Sequence, residues 1–370
     1  MATVNLGRVG FVNKGNYTQS TNYKVNDVVK YGLEVFACIT AHKSPSSGFD
    51  SSKWIQWVGN DDVKVARAYI AVTVGVSGKD FTTVKAAIEY LSQFAPIYKK
   101  GGIIAEIKIE DGYILKEQLL FDGVDLSFIR ISYEGSGYLL VDRDYITRSF
   151  DGLYPVFGAR NGANSPQLNL VFDCQVEQGS SIDADEKHGI FVKNATISCI
   201  GTAGAVRCSG FGAYVKRGVL QGAGLILASD KRSAGYINYG GLMRADTITT
   251  ESRDGIGLYV QQSTVSASSI SAKSHYGYGI YLRGGGNAEA ETIEAYSATT
   301  RAVYARGGSN LSAYTLEPSN SAEATAELVG VDGGSSVRSN SGTWTNNGSG
   351  DKCNVAAGTI SSNGYVNRIG

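Results

Sequence analysis

Asp246 and Glu291 are the carboxylates whose spacing most directly suggests chemistry. Glycosidic hydrolysis needs two carboxyl groups about 5 to 9.5 Å apart, one protonated to donate to the leaving oxygen and one charged. The two residues are separated by two periods of a 22 to 23 residue repeat that runs through this part of the chain, so they share one outward column with Ser268 and Tyr314. At ~4.8 Å per coil the separation is about 9.6 Å, the outer limit of that range. Exposed carboxylates are usually only solvated, which makes the pair a weak catalytic candidate. A second acidic group, Asp173, Glu177, Asp183, Asp185 and Glu186, precedes the regular repeat. Of the histidines, His188 and His275 fall in the repeat region, and His275 in "KSHYGYG" stands beside Tyr276 and Tyr278 at a corner, where turn packing or ligand contact suits it better than base catalysis. No His, Cys and carboxylate set has metal-ligand spacing. "SGKD" lacks both the spacing and the Ser/Thr of a phosphate loop. Neither a metal nor a cofactor is expected.

Another set of residues points to recognition. In "GLYVQ" strand alternation turns Leu258 and Val260 inward and Tyr259 and Gln261 outward, and "GIYLR" repeats this with Tyr281 and Arg283. On neighbouring coils the expected outward sites are Phe191, Tyr214, Ile237 and Tyr304, followed two residues on by Lys193, Lys216, Tyr239 and Arg306. The expectation is an external ladder of aromatics beside a ladder of cations and amides, a strip that soluble monomers rarely expose. It suits an oligomer seam, with three rods packed about a shared axis. It also suits saccharide binding, with ring faces on sugar C–H faces and Arg or Lys on hydroxyls or acidic substituents.

The elements that place these residues are legible in three apolar columns. Ile190, Ala213, Tyr236, Leu258, Ile280 and Val303 head the first; Leu242, Val265, Ala288 and Leu311 form the second; Ile226, Ile248, Ile270, Ile293 and Leu316 form the third. Each advances by 22 or 23 residues. Three strands per coil with glycine or serine corners describe a parallel β-helix; a propeller repeat is about twice as long, and a leucine-rich repeat needs denser leucine and an Asn ladder. Strands of this kind pair only along the rod axis, so both ends need covers.

Composition agrees. Glycine is used 47 times and proline five, so turns are made with glycine, and 18% charged residues lies below the globular norm of about 25%. A formal charge of zero removes any global pull toward nucleic acid or anionic lipid. Five scattered cysteines, never in CxxC spacing, are expected as free thiols. The start lacks the pattern of a secretory signal, and no stretch reaches the ~20 apolar residues of a membrane span.

Four segments follow. Residues 1–62 read as a small β module with two alternating runs around Gly32 and an aromatic set of Tyr31, Phe36, Trp54 and Trp57. Those aromatics are either the core of a tiny domain or a sugar-stacking platform. Residues 63–160 hold the opening coils and a short capping helix, with Thr82 or Thr83 as N-cap, Val84, Ala87, Ile88 and Leu91 on one face and Pro96 at its end. Residues 161–339 are regular coils, and 340–370 form a C-terminal cap with Trp344 over the last coil. The fold class expected is all-β: a small N-terminal β module, then a right-handed parallel β-helix with a short capping helix.

Particular motifs carry family resemblances. Tyr23, Asp27, Val28, Val29, Tyr31, Phe36, Cys38, His42 and Trp54 resemble the chitin-binding modules of bacterial chitinases, with Asn26 in place of the usual Gly. The segment "VTVGVSGKDFTTVKAAIEYLSQF" and the strands after it resemble the opening of pectate-lyase and pectin-methylesterase type β-helices, although the catalytic motifs of the latter are not matched. With "YPVFGARNG" and the closing "TISSNGYVNRIG", the whole chain resembles bacteriophage tail-fibre and tailspike adhesins. That resemblance implies a homotrimer on the virion tail, made in the host cytoplasm, docked to other tail proteins through residues 1–62, and binding host surface glycan. It leaves two alternatives open: a polysaccharide depolymerase on the same scaffold, and a structural tail joint without glycan affinity.

Overall fold

Apolar residues on alternate positions, broken by glycine every ten residues or so, fold here into stacked coils. The computed structural model describes residues 12–32, 34–58, 64–66, 69–96, 105–175, 186–342, 344–345, 347–349 and 364–367. The chain divides into two units. In the first, strands Val12–Asn16, Asp27–Tyr31, Glu34–Cys38 and Trp54–Val58 form a four-stranded sheet. Its first pairing is parallel and the others antiparallel. Tyr23, Val29, Cys38 and Trp54 make its core, with Tyr17, Phe36 and Phe49 packed against them.

The second unit is a parallel β-helix of about ten turns. The one α-helix among the described residues, Val84–Ser92, buries Val84, Ala87, Ile88 and Leu91, the face that the sequence spacing predicts. The Thr83 hydroxyl accepts from the Ala86 N–H at 3.2 Å, and the Glu117 carboxylate accepts from the Val84 N–H at 2.6 Å, which caps the helix and ties its first turn to the coils.

Two walls carry the regular coils. The short wall stacks nine strands, among them Lys187–Lys193, Ala213–Lys216, Gly235–Asn238, Leu258–Gln261, Ile280–Arg283 and Val303–Arg306. Eight steps of ~4.8 Å make this wall roughly 40 Å long. The long wall stacks eleven-residue strands: Val219–Ser229, Leu242–Ser252, Thr264–Ser274, Asn287–Ser297 and Asn310–Asn320. The second and third columns of the sequence analysis therefore lie on one strand, not two. It bends where consecutive residues face out, as at Asp246 and Thr247, so the inward set runs Met243, Ala245, Ile248, Thr250 and Ser252.

Each column has one member a residue out of register. Ala213 pairs with Gly235, not Tyr236; Ile248 pairs with Leu225, not Ile226; Val265 pairs with Met243, not Leu242. Coil length alternates between 22 and 23 residues, and the apolar neighbour one position along invites the wrong register. At Gly235 the inward space is filled by a neighbouring coil: an added Cβ would lie 3.0 Å from Leu258 Cδ1.

The corner after the long wall is held by a buried row of Ser229, Ser252, Ser274, Ser297 and Asn320. The serine hydroxyls donate to the carbonyls of Gly210, Arg232, Gly255 and Gly277 at 2.5 to 2.8 Å. They accept from the N–H groups of Arg232, Gly255, Gly277 and Thr300 at 2.7 to 3.0 Å. One side chain per coil thus satisfies two backbone groups that turn inward away from water. Ser274→Ala leaves the Gly255 carbonyl and Gly277 N–H unpartnered and is expected to lower stability by ~2 to 3 kcal/mol, measured by urea or thermal unfolding. A loss under ~0.5 kcal/mol would contradict this role for the row.

Beyond the last parallel strand, Ser336–Ser341, strand Gly364–Asn367 pairs antiparallel. Trp344 is half-buried, and the adjacent Thr345 accepts from the Asn320 N–H at 3.3 Å. Cys38, Cys174, Cys199 and Cys208 are buried free thiols; Cys353 lies outside the described residues.

Candidate functional site

The register of the short wall puts Tyr214, Tyr236, Tyr259, Tyr281 and Tyr304 in one outward column. Parallel in-register strands repeat ~4.8 Å apart, which is also a stacking distance for aromatic rings. The five rings accordingly stack, with centroids 5.0, 4.8, 4.9 and 5.3 Å apart and interplanar angles of 7, 20, 18 and 5°. Phe211 packs on Tyr214 and Tyr236, and Tyr278 on Tyr281 and Tyr304, all at 5.1 to 5.4 Å.

This geometry changes what the ladder can do. The ring faces are taken by neighbouring rings, so they do not offer the sugar-stacking platform expected from the sequence; Tyr281 is only 9% exposed. The hydroxyls of Tyr214, Tyr236 and Tyr259 point instead to the polar residues beside the stack. Two further corrections follow from the register: Ile237 is buried and Tyr236 holds the outward site, while Tyr239 sits at the corner with φ +50°, under the Lys216 ammonium at 5.6 Å.

Both ends of the stack are closed by side chains lying over a glycine. Phe191 below Tyr214 is fully buried, and Phe150 packs edge-on against it at 5.9 Å, in space that a Cβ on Gly158 would invade. At the other end the Arg301 guanidinium lies 4.6 Å from the Tyr304 ring centroid and crosses Gly330, the next residue in the column. Glu327 holds Arg301 there, accepting from Nε at 2.8 Å.

Two residues beyond each tyrosine runs a polar column: Arg160, Lys193, Lys216, Asn238, Gln261, Arg283 and Arg306 in sequence along the coils. The tyrosine hydroxyls meet it. Asn238 Nδ2 donates to the Tyr214 hydroxyl at 3.1 Å, and the hydroxyls of Tyr236 and Tyr259 donate to Gln261 Oε1 at 3.3 Å. Burial pushes the Tyr214, Tyr236 and Tyr281 hydroxyls above their ordinary pKa, which keeps them protonated at neutral pH. A hydrogen bond with Tyr259 pushes the Arg283 guanidinium further up.

The long wall carries the carboxylates. A groove of about 570 Å³ is lined by Glu289, Glu291, Tyr314 and Arg338 with small residues between them. Asp246 shares the column of Glu291 two coils away, is exposed, and lies outside that lining. A second groove of about 430 Å³ holds Glu294 and Glu317 on adjacent coils beside His275, whose Nε2 lies 3.1 Å from Glu251. The earlier acidic group is engaged where it is described: Asp173 pairs with Arg207, and Glu186 with Arg232 at 2.8 Å. Glu177, Asp183 and Asp185 lie outside the described residues.

No family model and no curated protein matches this chain. Its candidate sites rest on their own geometry. In the N-terminal unit Trp54 is 5% exposed and belongs to the core, so it is not an open platform. Tyr31 is exposed, but one ring face lies on Phe49 at 4.3 Å; Phe36 is half-buried and packs on Phe49 at 4.7 Å. The side chain of Trp57 lies outside the described residues. Among the described residues no group of three His, Cys, Asp or Glu is placed to hold a metal ion.

Tyr236 belongs to the strip although its spacing first places it inward, and Asn238 joins the polar column as a buried member. The signal was available as the 22-residue step from Tyr214 to Tyr236, hidden by Tyr236 having been placed in the inward column.

Proposed function

We propose that this chain is a receptor-binding protein whose short wall adheres to host cell-surface polysaccharide. The observation that supports it is the in-register column of tyrosines from Tyr214 to Tyr304 beside Lys216, Gln261, Arg283 and Arg306, with Asn238 the buried member of that polar column. Sugars offer donors and acceptors at similar short intervals, so a periodic polar edge can meet successive units without rearrangement. The tail-fibre resemblance supplies the setting: a homotrimer on the virion, docked through residues 1–62. Immobilised bacterial capsules and lipopolysaccharides, probed with the full chain, are expected to show saturable binding by one of them, weakened about tenfold by Gln261→Ala. Absence of binding across the panel, or indifference to Gln261, would remove the short wall as the receptor site.

A second reading, polysaccharide cleavage, is favoured by the groove holding Glu289 and Glu291 beside Tyr314. New reducing ends or unsaturated uronate absorbance, lost in Glu291→Gln, would support it over simple adhesion.

A further inference from the structure

The cations of the short-wall strip divide into two groups. At its lower end Arg160 pairs with Asp122 at 2.7 Å, and Lys193 with Asp151 at 2.6 Å. Some other coil cations are matched in the same way, Arg232 with Glu186, Arg253 with Asp230 and Arg301 with Glu327, while Arg217, Arg244 and Lys273 have no ion pair among the described residues. Within the strip itself the pairing stops at the Tyr214 coil. Lys216, Arg283 and Arg306 have no carboxylate partner among the described residues. Arg283 and Arg306 are exposed, and they stand directly opposite each other in the register of adjacent strands.

That register is unfavourable on its own. Like charges directly opposite on neighbouring strands destabilise a sheet, and the adjacent columns hold Tyr281 and Tyr304, which do not neutralise them. The run from Lys216 to Arg306 spans about 19 Å, and the next residue up, one coil beyond Arg306, is the exposed Asp332. The strip is thus a cationic stretch with acids at both ends, floored by tyrosine hydroxyls and the Gln261 amide.

We infer that the short-wall strip selects an acidic polysaccharide, with Lys216, Arg283 and Arg306 binding carboxylate groups carried on its sugar units. The planar fork of a guanidinium matches a carboxylate bidentately, and two such forks one coil apart hold two anionic oxygens pairs along the rod direction. An anion lying over Arg283 and Arg306 relieves the repulsion between them, while tyrosine hydroxyls and Gln261 contact the uncharged hydroxyls between charges. This inference rests on the proposed function and adds the ligand class.

The test is affinity electrophoresis of the full chain in gels containing polygalacturonate, polysialate, the carboxyl-reduced form of each, dextran, or dextran sulfate. Retardation by at least one carboxylated polymer is expected, with loss on carboxyl reduction and steep weakening between 50 and 500 mM salt, on the order of tenfold or more. Arg283→Gln and Arg306→Gln are each expected to weaken binding roughly tenfold, and the Lys216→Gln triple variant to abolish it. Because Arg283 and Arg306 are exposed and stand opposite each other, thermal midpoints of their single variants should equal or exceed that of the parent, which separates lost contacts from lost folding. Retardation by dextran sulfate alone, or equal binding by the triple variant, overturns the assignment. Binding of a neutral or carboxyl-reduced polymer that depends on Gln261 but not on the cations refutes the acidic ligand while sparing the adhesive function. Failure of every polymer here and of every glycan in the bacterial panel refutes both.

Discussion

Gly277→Ala is expected to destabilise the coils around it by ~3 kcal/mol or more, because the added methyl group meets backbone that has nowhere to go. The added Cβ would lie 2.1 Å from the Gly255 carbonyl oxygen and 2.8 Å from its carbon, both backbone atoms of the coil below. Neither partner can step aside. Gly255 O accepts from Ser274 Oγ at 2.7 Å, the Gly277 N–H donates to the same Oγ at 2.7 Å, and Gly277 O accepts from Ser297 and Thr300 at 2.8 Å. Moving the strand therefore breaks the serine row on two coils at once. The conformation itself is no obstacle, since Gly277 is not among the residues with positive φ. Two controls separate space from backbone strain. Gly285→Ala meets nothing within 4 Å but must hold φ +85°, which costs ~1 to 2 kcal/mol. Gly137→Ala meets nothing and has no such φ, and is expected to be neutral or stabilising by a few tenths of a kcal/mol. Thermal unfolding of the three variants should rank Gly277 far below Gly285 and Gly285 below Gly137. Equal midpoints for Gly277→Ala and Gly137→Ala would mean that the coils can spread by an ångström without cost.

How much of this was legible beforehand depends on whether a feature recurs with the coil. The β-helix was, because a column such as Ile248, Ile270, Ile293 and Leu316 repeats an apolar residue where each strand must face inward. Register within a coil was less so: Tyr236 and Ile237 are both large and apolar, and only the packing of Leu258 against Gly235 decides which one turns in. The serine row was equally periodic in Ser229, Ser252, Ser274 and Ser297, yet serine at a turn reads as a solvated corner until the carbonyls it bonds are placed. For the site, the sequence placed Tyr259, Tyr281, Arg283 and Arg306 on one outward face. It could not say that rings ~4.8 Å apart would consume one another's faces, because ring orientation depends on the side-chain rotamers of the whole column. Pairing of Lys193 with Asp151, 42 residues away, was likewise invisible to any local pattern.

Acidification from pH 7 to pH 4 is expected to cost roughly 3 kcal/mol through His188 alone. The side chain is 1% exposed, stacked on Phe211 at 5.3 Å, and its Nδ1 accepts from the Phe211 N–H at 2.9 Å, which fixes the neutral ring as an acceptor there. Burial pushes its pKa down to about 4; Glu186 opposes this, and Arg232 and Lys187 add to it. The unfolded chain binds the proton near 6.5 and the folded chain only near 4, so the stability is fully present above 6.5. It is lost progressively as pH falls between those values and levels off below. Glu117, whose carboxyl burial pushes up, acts with the opposite sign, because protonating it favours the folded state. It is common to parent and variant and cancels in their comparison. His188→Asn keeps an acceptor oxygen for the Phe211 N–H and removes the titration. Its ceiling is expected to be lower, because the ring stack is lost, but its thermal midpoint should change far less between pH 6.5 and 4 than that of the parent. A parent midpoint that is flat across this window, or a variant that falls as steeply, would place the proton elsewhere.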